Sequence, residues 1–179
     1  MSEHGTYETI DGRPALRFER RYPHPVEKVW RAVTDPSDLA HWFPAEVTVD
    51  LRPGGAISFH FPFDIPDMEL SDSDLRGEVL EVEPPRRFVF TWGDEELRIE
   101  LEPADDGAAT LLTFTNLLTQ TDMAARTAAG WHVCLRQLGD RLEGGSPGLP
   151  GPEETDETRA LFAQYAERGV PSGTPLPGS

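Results

Sequence analysis

Lysine is almost missing from this chain: Lys28 stands alone among sixteen Lys and Arg residues. With abundant Ala, Gly and Pro, that bias reads as the mark of a GC-rich genome and says nothing about function. Cysteine is as scarce. Cys134 cannot form an internal disulfide or build a zinc site by itself, which agrees with a reducing compartment. No apolar run approaches the roughly 18–20 residues of a membrane span, and residues 1–13 lack the apolar stretch of a signal peptide, so a cytoplasmic location is expected. Positive charge is also short, with 16 basic against 32 acidic residues and a formal net charge of -16. Phosphate backbones and anionic lipids are bound through clustered Lys and Arg, so neither nucleic acid nor a membrane is an expected partner. The pairs Arg20–Arg21 and Arg86–Arg87 read as solvated strand ends.

Familiar catalytic and metal patterns are missing as well. No His-Glu-x-x-His or Cys/His cluster occurs, so no metal is expected. There is no Gly-x-Ser-x-Gly elbow, and Pro53–Gly54–Gly55 leads into a strand rather than a helix, which is wrong for a phosphate loop. No cofactor is implied.

What the chain does have is rings: nine Phe, four Trp and three Tyr in 179 residues, with 37% hydrophobic residues overall. That is enough for one domain with a real core. Residues 15–22 alternate as a half-buried strand does and then meet Pro23 and Pro25. Pro25 suits a first helical turn, and Val26, Val29, Trp30 and Val33 follow at helical spacing as far as Asp35–Pro36. A second short helix fits 36–43 and brings Leu39, Trp42 and Phe43 to one side before Pro44. The period then changes to two. Strands are predicted near 45–51, 56–62, 76–83, 87–93, 96–102 and 109–117, separated by Gly, Pro and Asp turns. Ile57, Phe59 and Phe61 share a face, as do Phe88, Phe90 and Trp92, and Leu97, Ile99 and Leu101, with Arg98, Glu100 and Glu102 opposite. The acidic, proline-bearing stretch 62–74 reads as a long mobile loop.

Residues 121–143 give the clearest helix. Thr121 or Asp122 is available as its cap, Ala124, Ala128, Trp131, Leu135, Leu138 and Leu142 form its stripe, and Gly144–Gly145 ends it. The stripe must cover the oily face of the sheet, a burial of on the order of 10 kcal/mol before the entropy cost. Residues 146–152 read as a linker, 153–168 as a short amphipathic helix through Leu161, Phe162 and Tyr165, and 171–179 as a tail. The expected architecture is α+β: a curved antiparallel sheet of about seven strands wrapped around a long C-terminal helix, with two short helices after the first strand. Residues 10–145 form the domain and 146–179 an extension.

Five stretches in this order, FERRYPHPVEKVWRAVTDPSDLAHWF, PGGAISFHF, GEVLEVEPPRRFVFTW, TLLTFTN and GWHVCLRQLGDRLEG, resemble the START-like or SRPBCC superfamily. Within it they are similar to the branch of the activator of the heat-shock chaperone ATPase, whose helix-grip fold is also that of the Bet v-like proteins. The segment ETRALFAQYAERG resembles one that often follows in that family. The resemblance implies a cavity between sheet and C-terminal helix, used across the superfamily for lipids, polyketides and other apolar molecules. Relatives sequester ligands, catalyse cyclisation or hydrolysis, or bind a chaperone, and fold alone does not choose among these.

Trp42, Phe43, Phe59, Phe61, Phe90, Trp92 and Trp131 are therefore candidate pocket walls, although rings at core spacing also serve simply as packing. Leu135 belongs to the same helix stripe. Glu78 and Asn116 are candidate polar contacts for a ligand, or else wet groups at the sheet rim. His132 is a candidate ligand contact or proton carrier, or else a hydrogen-bonded residue on the helix rim. No residue is assigned a catalytic role, and Cys134 reads as a small buried hydrophobe. The leading expectation is a binding protein for an apolar, aromatic or lipid-like molecule. A co-chaperone-like interaction domain is the alternative, and a pocket-based cyclase or hydrolase acting through His132 or Glu78 comes third. A homodimer and a chaperone partner both stay open.

Overall fold

The computed structural model describes residues 4–61, 74–119, 121–148 and 155–172. Much of the expected 62–74 loop, 146–152 linker and 171–179 tail lies outside the described residues. The chain opens with a hairpin, β1 (Thr6–Ile10) and β2 (Arg13–Tyr22). Its two-residue turn places Asp11 at φ 52 and Gly12 at φ 75. Two successive left-handed residues twist a hairpin correctly, and Asp-Gly is a favoured pair for them. Sequence reading missed β1, so the expected seven strands are eight, and the two short helices follow the second strand.

Helix α1 (Val26–Thr34) buries Val26, Val29, Ala32 and Val33 along one stripe. Helix α2 is shorter than expected, Pro36–Leu39, because Asp35 starts it and Phe43 already leaves the helical path. The Asp35 side chain accepts from the Ser37 backbone N–H at 2.8 Å. The two Ser37 hydrogen bonds, from side chain and backbone, hold this carboxyl below its ordinary value.

Strands β3 (Glu46–Val49), β4 (Ala56–His60), β5 (Asp74–Glu83), β6 (Arg87–Trp92), β7 (Glu95–Ala104) and β8 (Ala109–Leu117) follow as antiparallel neighbours. The sheet order is β1-β2-β8-β7-β6-β5-β4-β3, so β2 lies against the last strand. The register pairs Phe18 with Phe114 and Phe114 with Ile99, which aligns inward positions across three neighbouring strands. Beside the β5–β6 ladder, a Cβ on Gly77 would stand 2.4 Å from the Thr91 carbonyl oxygen, so no larger residue fits without displacing a strand.

Helix α3 (Ala124–Leu142) lies across the inner face and buries Ala128, Trp131, Leu135, Leu138 and Leu142. The Tyr22 hydroxyl donates to the Leu135 carbonyl at 2.9 Å. Neither Thr121 nor Asp122 caps the helix through its side chain: Met123 is the N-cap and makes no side-chain cap bond. The Ala124 N–H instead bonds the Thr121 carbonyl, and the Ala125 N–H takes the Pro171 carbonyl at 2.8 Å. Orphan donors of a first turn need some acceptor, and here the returning chain supplies one. Helix α4 (Asp156–Glu167) starts with a capping box between Thr155 and Thr158. It packs on α3 and buries Tyr165 completely. The architecture is a helix-grip fold.

Candidate functional site

Strand parity builds the site. Phe59 and Phe61 on β4 and its end, and Phe90 and Trp92 on β6, point inward at period two, and Trp131 comes down on them from α3. Phe43, carried on the turn after α2, fills the middle. Its ring centroid lies 5.6 Å from Trp42, 5.6 Å from Phe59, 6.2 Å from Phe90, 5.3 Å from Trp92 and 5.7 Å from Trp131. Trp92 is 4.7 Å from Phe59, 5.8 Å from Phe61 and 6.1 Å from Trp131. All seven rings singled out in the sequence thus form one connected cluster. Burial is graded across it: Phe43 and Phe59 are fully enclosed, whereas Phe61 and Trp92 are only half-buried at its edge. Leu135 is buried one turn beyond Trp131.

One polar chain runs through this apolar region. The Trp131 indole Nε1–H donates to Asn116 Oδ1 at 3.0 Å, and Asn116 Nδ2 donates to Glu95 Oε2 at 2.9 Å. Asn116 is 0% exposed, so it is not at the wet rim. Its amide is satisfied at both ends, as a buried amide must be. Glu78, by contrast, is exposed, and its backbone N–H donates to Thr91 Oγ1 at 2.8 Å.

His132 also faces away from the rings. Its Nδ1 lies 2.9 Å from the Tyr165 hydroxyl, which accepts from the Gly5 N–H at 2.8 Å, and the His4 ring stands 5.3 Å from the His132 ring. This second cluster fastens α4 and the start of the chain to α3. Cys134 is buried, and burial pushes its thiol up to about 12, which makes it a packing residue rather than a nucleophile. Among the described residues no group of three or more His, Cys, Asp or Glu is arranged to hold a metal ion, and no helix is long and apolar enough to cross a membrane.

Two residues of the site escaped the sequence reading. Phe114 packs 4.7 Å from Trp131, and Glu95 holds the end of the polar chain. Both carry a period-two signal: Phe114 alternates with Leu112 and Asn116, and Glu95 extends the Leu97, Ile99, Leu101 face back by one step. The outer face of the sheet differs in character. A cleft of about 450 Å³ there is lined by Arg17, Glu19, Arg86, Arg87 and Glu100 among others. Arg87 is tied to Glu81 and Glu100, and the Glu81 bond is the chief reason its guanidinium is held above its ordinary value. Arg20 lies 5.7 Å over the Phe18 ring and Arg21 pairs with Asp105, so these arginines are engaged rather than merely solvated.

Residues 23–143 match the model of the activator of Hsp90 ATPase homolog 1-like protein family. The chain belongs to that family. It is a START-like, SRPBCC member by fold as well as by sequence. EF2215 from Enterococcus faecalis superposes with a TM-score of 0.70 at 22% identity, over 92% of this chain and 89% of that one, a likeness of fold. The crystal structure of CalU16 from Micromonospora echinospora gives a TM-score of 0.66 at 28% identity, over 91% and 94%. DynU16, from the dynemicin biosynthetic locus, gives 0.59 at 27% identity, over 74% of this chain and 48% of that one. No curated protein matches the chain.

Proposed function

We propose that this member of the family binds an apolar, aromatic small molecule between the sheet and α3, without breaking bonds in it. The observation that carries the reading is the graded ring cluster: enclosed rings at Phe43 and Phe59 lead out to half-buried Trp92 and Phe61, with the Trp131–Asn116–Glu95 chain set among them. Ligand sites in small domains combine mostly apolar walls with a few oriented polar groups. His132 is engaged with Tyr165 and Glu78 is exposed, which favours binding over acid–base chemistry.

Native mass spectrometry and tryptophan quenching against polycyclic aromatic metabolites and fatty acids test this directly. One ligand per chain, saturable, is expected. Trp92→Ala should weaken it by about tenfold or more, since a buried aromatic contact is worth roughly 1–2 kcal/mol. Absence of saturable binding across both classes refutes it. The family's description supports a second reading, a chaperone partner. Under that reading a chaperone co-purifies with the chain, and Trp92→Ala leaves the association intact.

A further inference from the structure

We propose that the site selects aromatic ligands bearing a protonated amine and that the Glu95 carboxylate recognises that amine, an inference that rests on the ligand-binding reading above. Glu95 reaches the site by strand parity. It is the register partner of Trp92 across the Gly93–Asp94 turn, and it faces the same side as Leu97 and Ile99. Its Oε2 accepts from Asn116 Nδ2 at 2.9 Å. That amide has only one workable orientation, because the Trp131 N–H requires the oxygen, Oδ1, on its own side and so turns the NH2 toward Glu95.

The other carboxylate oxygen, Oε1, has no hydrogen-bond partner among the described residues, and Glu95 forms no ion pair with any of them. Its neighbour Glu96, on the opposite face, is paired with Arg98 at 2.8 Å. A half-buried carboxylate whose only side-chain donor is a neutral amide lacks the cation that would balance its loss of water. A ligand amine supplies that cation. Trp92 is the cross-strand partner of Glu95, and Asn116 links Glu95 to Trp131, so the carboxylate is tied to the ring cluster. The aromatic body then meets the ring cluster while the amine meets Oε1. A neutral hydroxyl donates to the same oxygen without the charge, and a ligand carboxylate there meets like charge.

The test uses three matched probes, naphthylmethylamine, naphthalenemethanol and naphthoic acid, titrated calorimetrically at neutral pH into the full chain and into its Glu95→Gln variant. The variant keeps an oxygen for Asn116 to bond, removes the charge and puts an NH2 donor where Oε1 accepted. The full chain should bind the amine about tenfold more tightly than the alcohol, with the acid weakest, because hydrogen bonds between charged partners are roughly twice as strong as neutral ones. In Glu95→Gln the amine should lose its roughly tenfold advantage over the alcohol and the acid should gain, while an unchanged thermal unfolding midpoint shows that the variant is folded. Equal binding of amine and alcohol by the full chain, or a preference that survives Glu95→Gln, overturns the amine proposal and leaves the ring-cluster reading standing. Failure of all three probes to bind overturns this proposal, and the ring-cluster reading falls with it only where the polycyclic metabolites and fatty acids also fail to bind.

Discussion

Replacing Trp131 by Phe keeps an aromatic ring over the sheet but deletes the indole N–H that satisfies Asn116 Oδ1. The orphaned oxygen belongs to a residue that is 0% exposed, so no solvent replaces the lost donor. A buried unsatisfied acceptor costs about 1–3 kcal/mol, and the smaller ring loses about 1 kcal/mol of packing against Phe114 and Phe43. The expected destabilisation is therefore about 2–4 kcal/mol, read by urea unfolding as a lower midpoint with unchanged slope, or as a Tm drop of about 5–10 °C. Asn116→Leu should cost about 1–3 kcal/mol by stranding the indole N–H and releasing Glu95. The double variant leaves neither partner unsatisfied. Its cost should fall short of the sum by about 1–2 kcal/mol. The Glu95 bond is lost in both variants that lack Asn116 and cancels in the cycle. Strict additivity would refute the claim that the Trp131–Asn116 bond organises this region.

Tyr165→Phe should lower stability by about 1–3 kcal/mol, since it removes the hydroxyl shared by the Gly5 N–H and His132, and early proteolysis or hydrogen exchange in α4 reports the loosening. Cys134 should resist alkylation in the native state and react only on unfolding, because burial raises its thiol to about 12. The same burial fixes the sign of a pH effect. The fold holds the neutral thiol, so the Cys134 contribution is whole below its unfolded value near 9.0 and fades as pH rises toward about 12; Cys134→Ala should shallow that alkaline decline in a pH series of urea midpoints. Gly77→Ala should cost about 1–3 kcal/mol, measured by thermal unfolding, because its Cβ would stand 2.4 Å from the Thr91 carbonyl oxygen.

Most of the fold was legible because its signals are local. Alternation in β4, β6 and β7, the stripe of α3 and the proline stops needed only nearest neighbours in sequence, and the inward rings followed from the same alternation. The first hairpin was missed: Asp11–Gly12 marks its turn, but β1 is short and shows little apolar alternation, so the strand gave no signal of its own. The start of α3 was not legible. Its acceptor, the Pro171 carbonyl, comes from a distant part of the chain. The same holds for Asn116 and Glu95, whose roles depend on an indole from α3 reaching across the sheet. Sequence spacing placed Asn116 on the correct face. It could not show that an N–H would arrive there, and without that donor the wet rim was the natural expectation for a polar residue.

The pairing of β2 with β8 joins the second strand of the sequence to its last, far apart along the chain. As the polypeptide leaves the ribosome, the β1–β2 hairpin is made first, and one flank of β2 waits for a strand that is made after all the other seven. Until it docks, that flank offers free amides and carbonyls to any passing chain. Assembly therefore carries a large loop-closure cost at its last sheet-forming step, and slow, concentration-sensitive refolding is the behaviour this topology dictates.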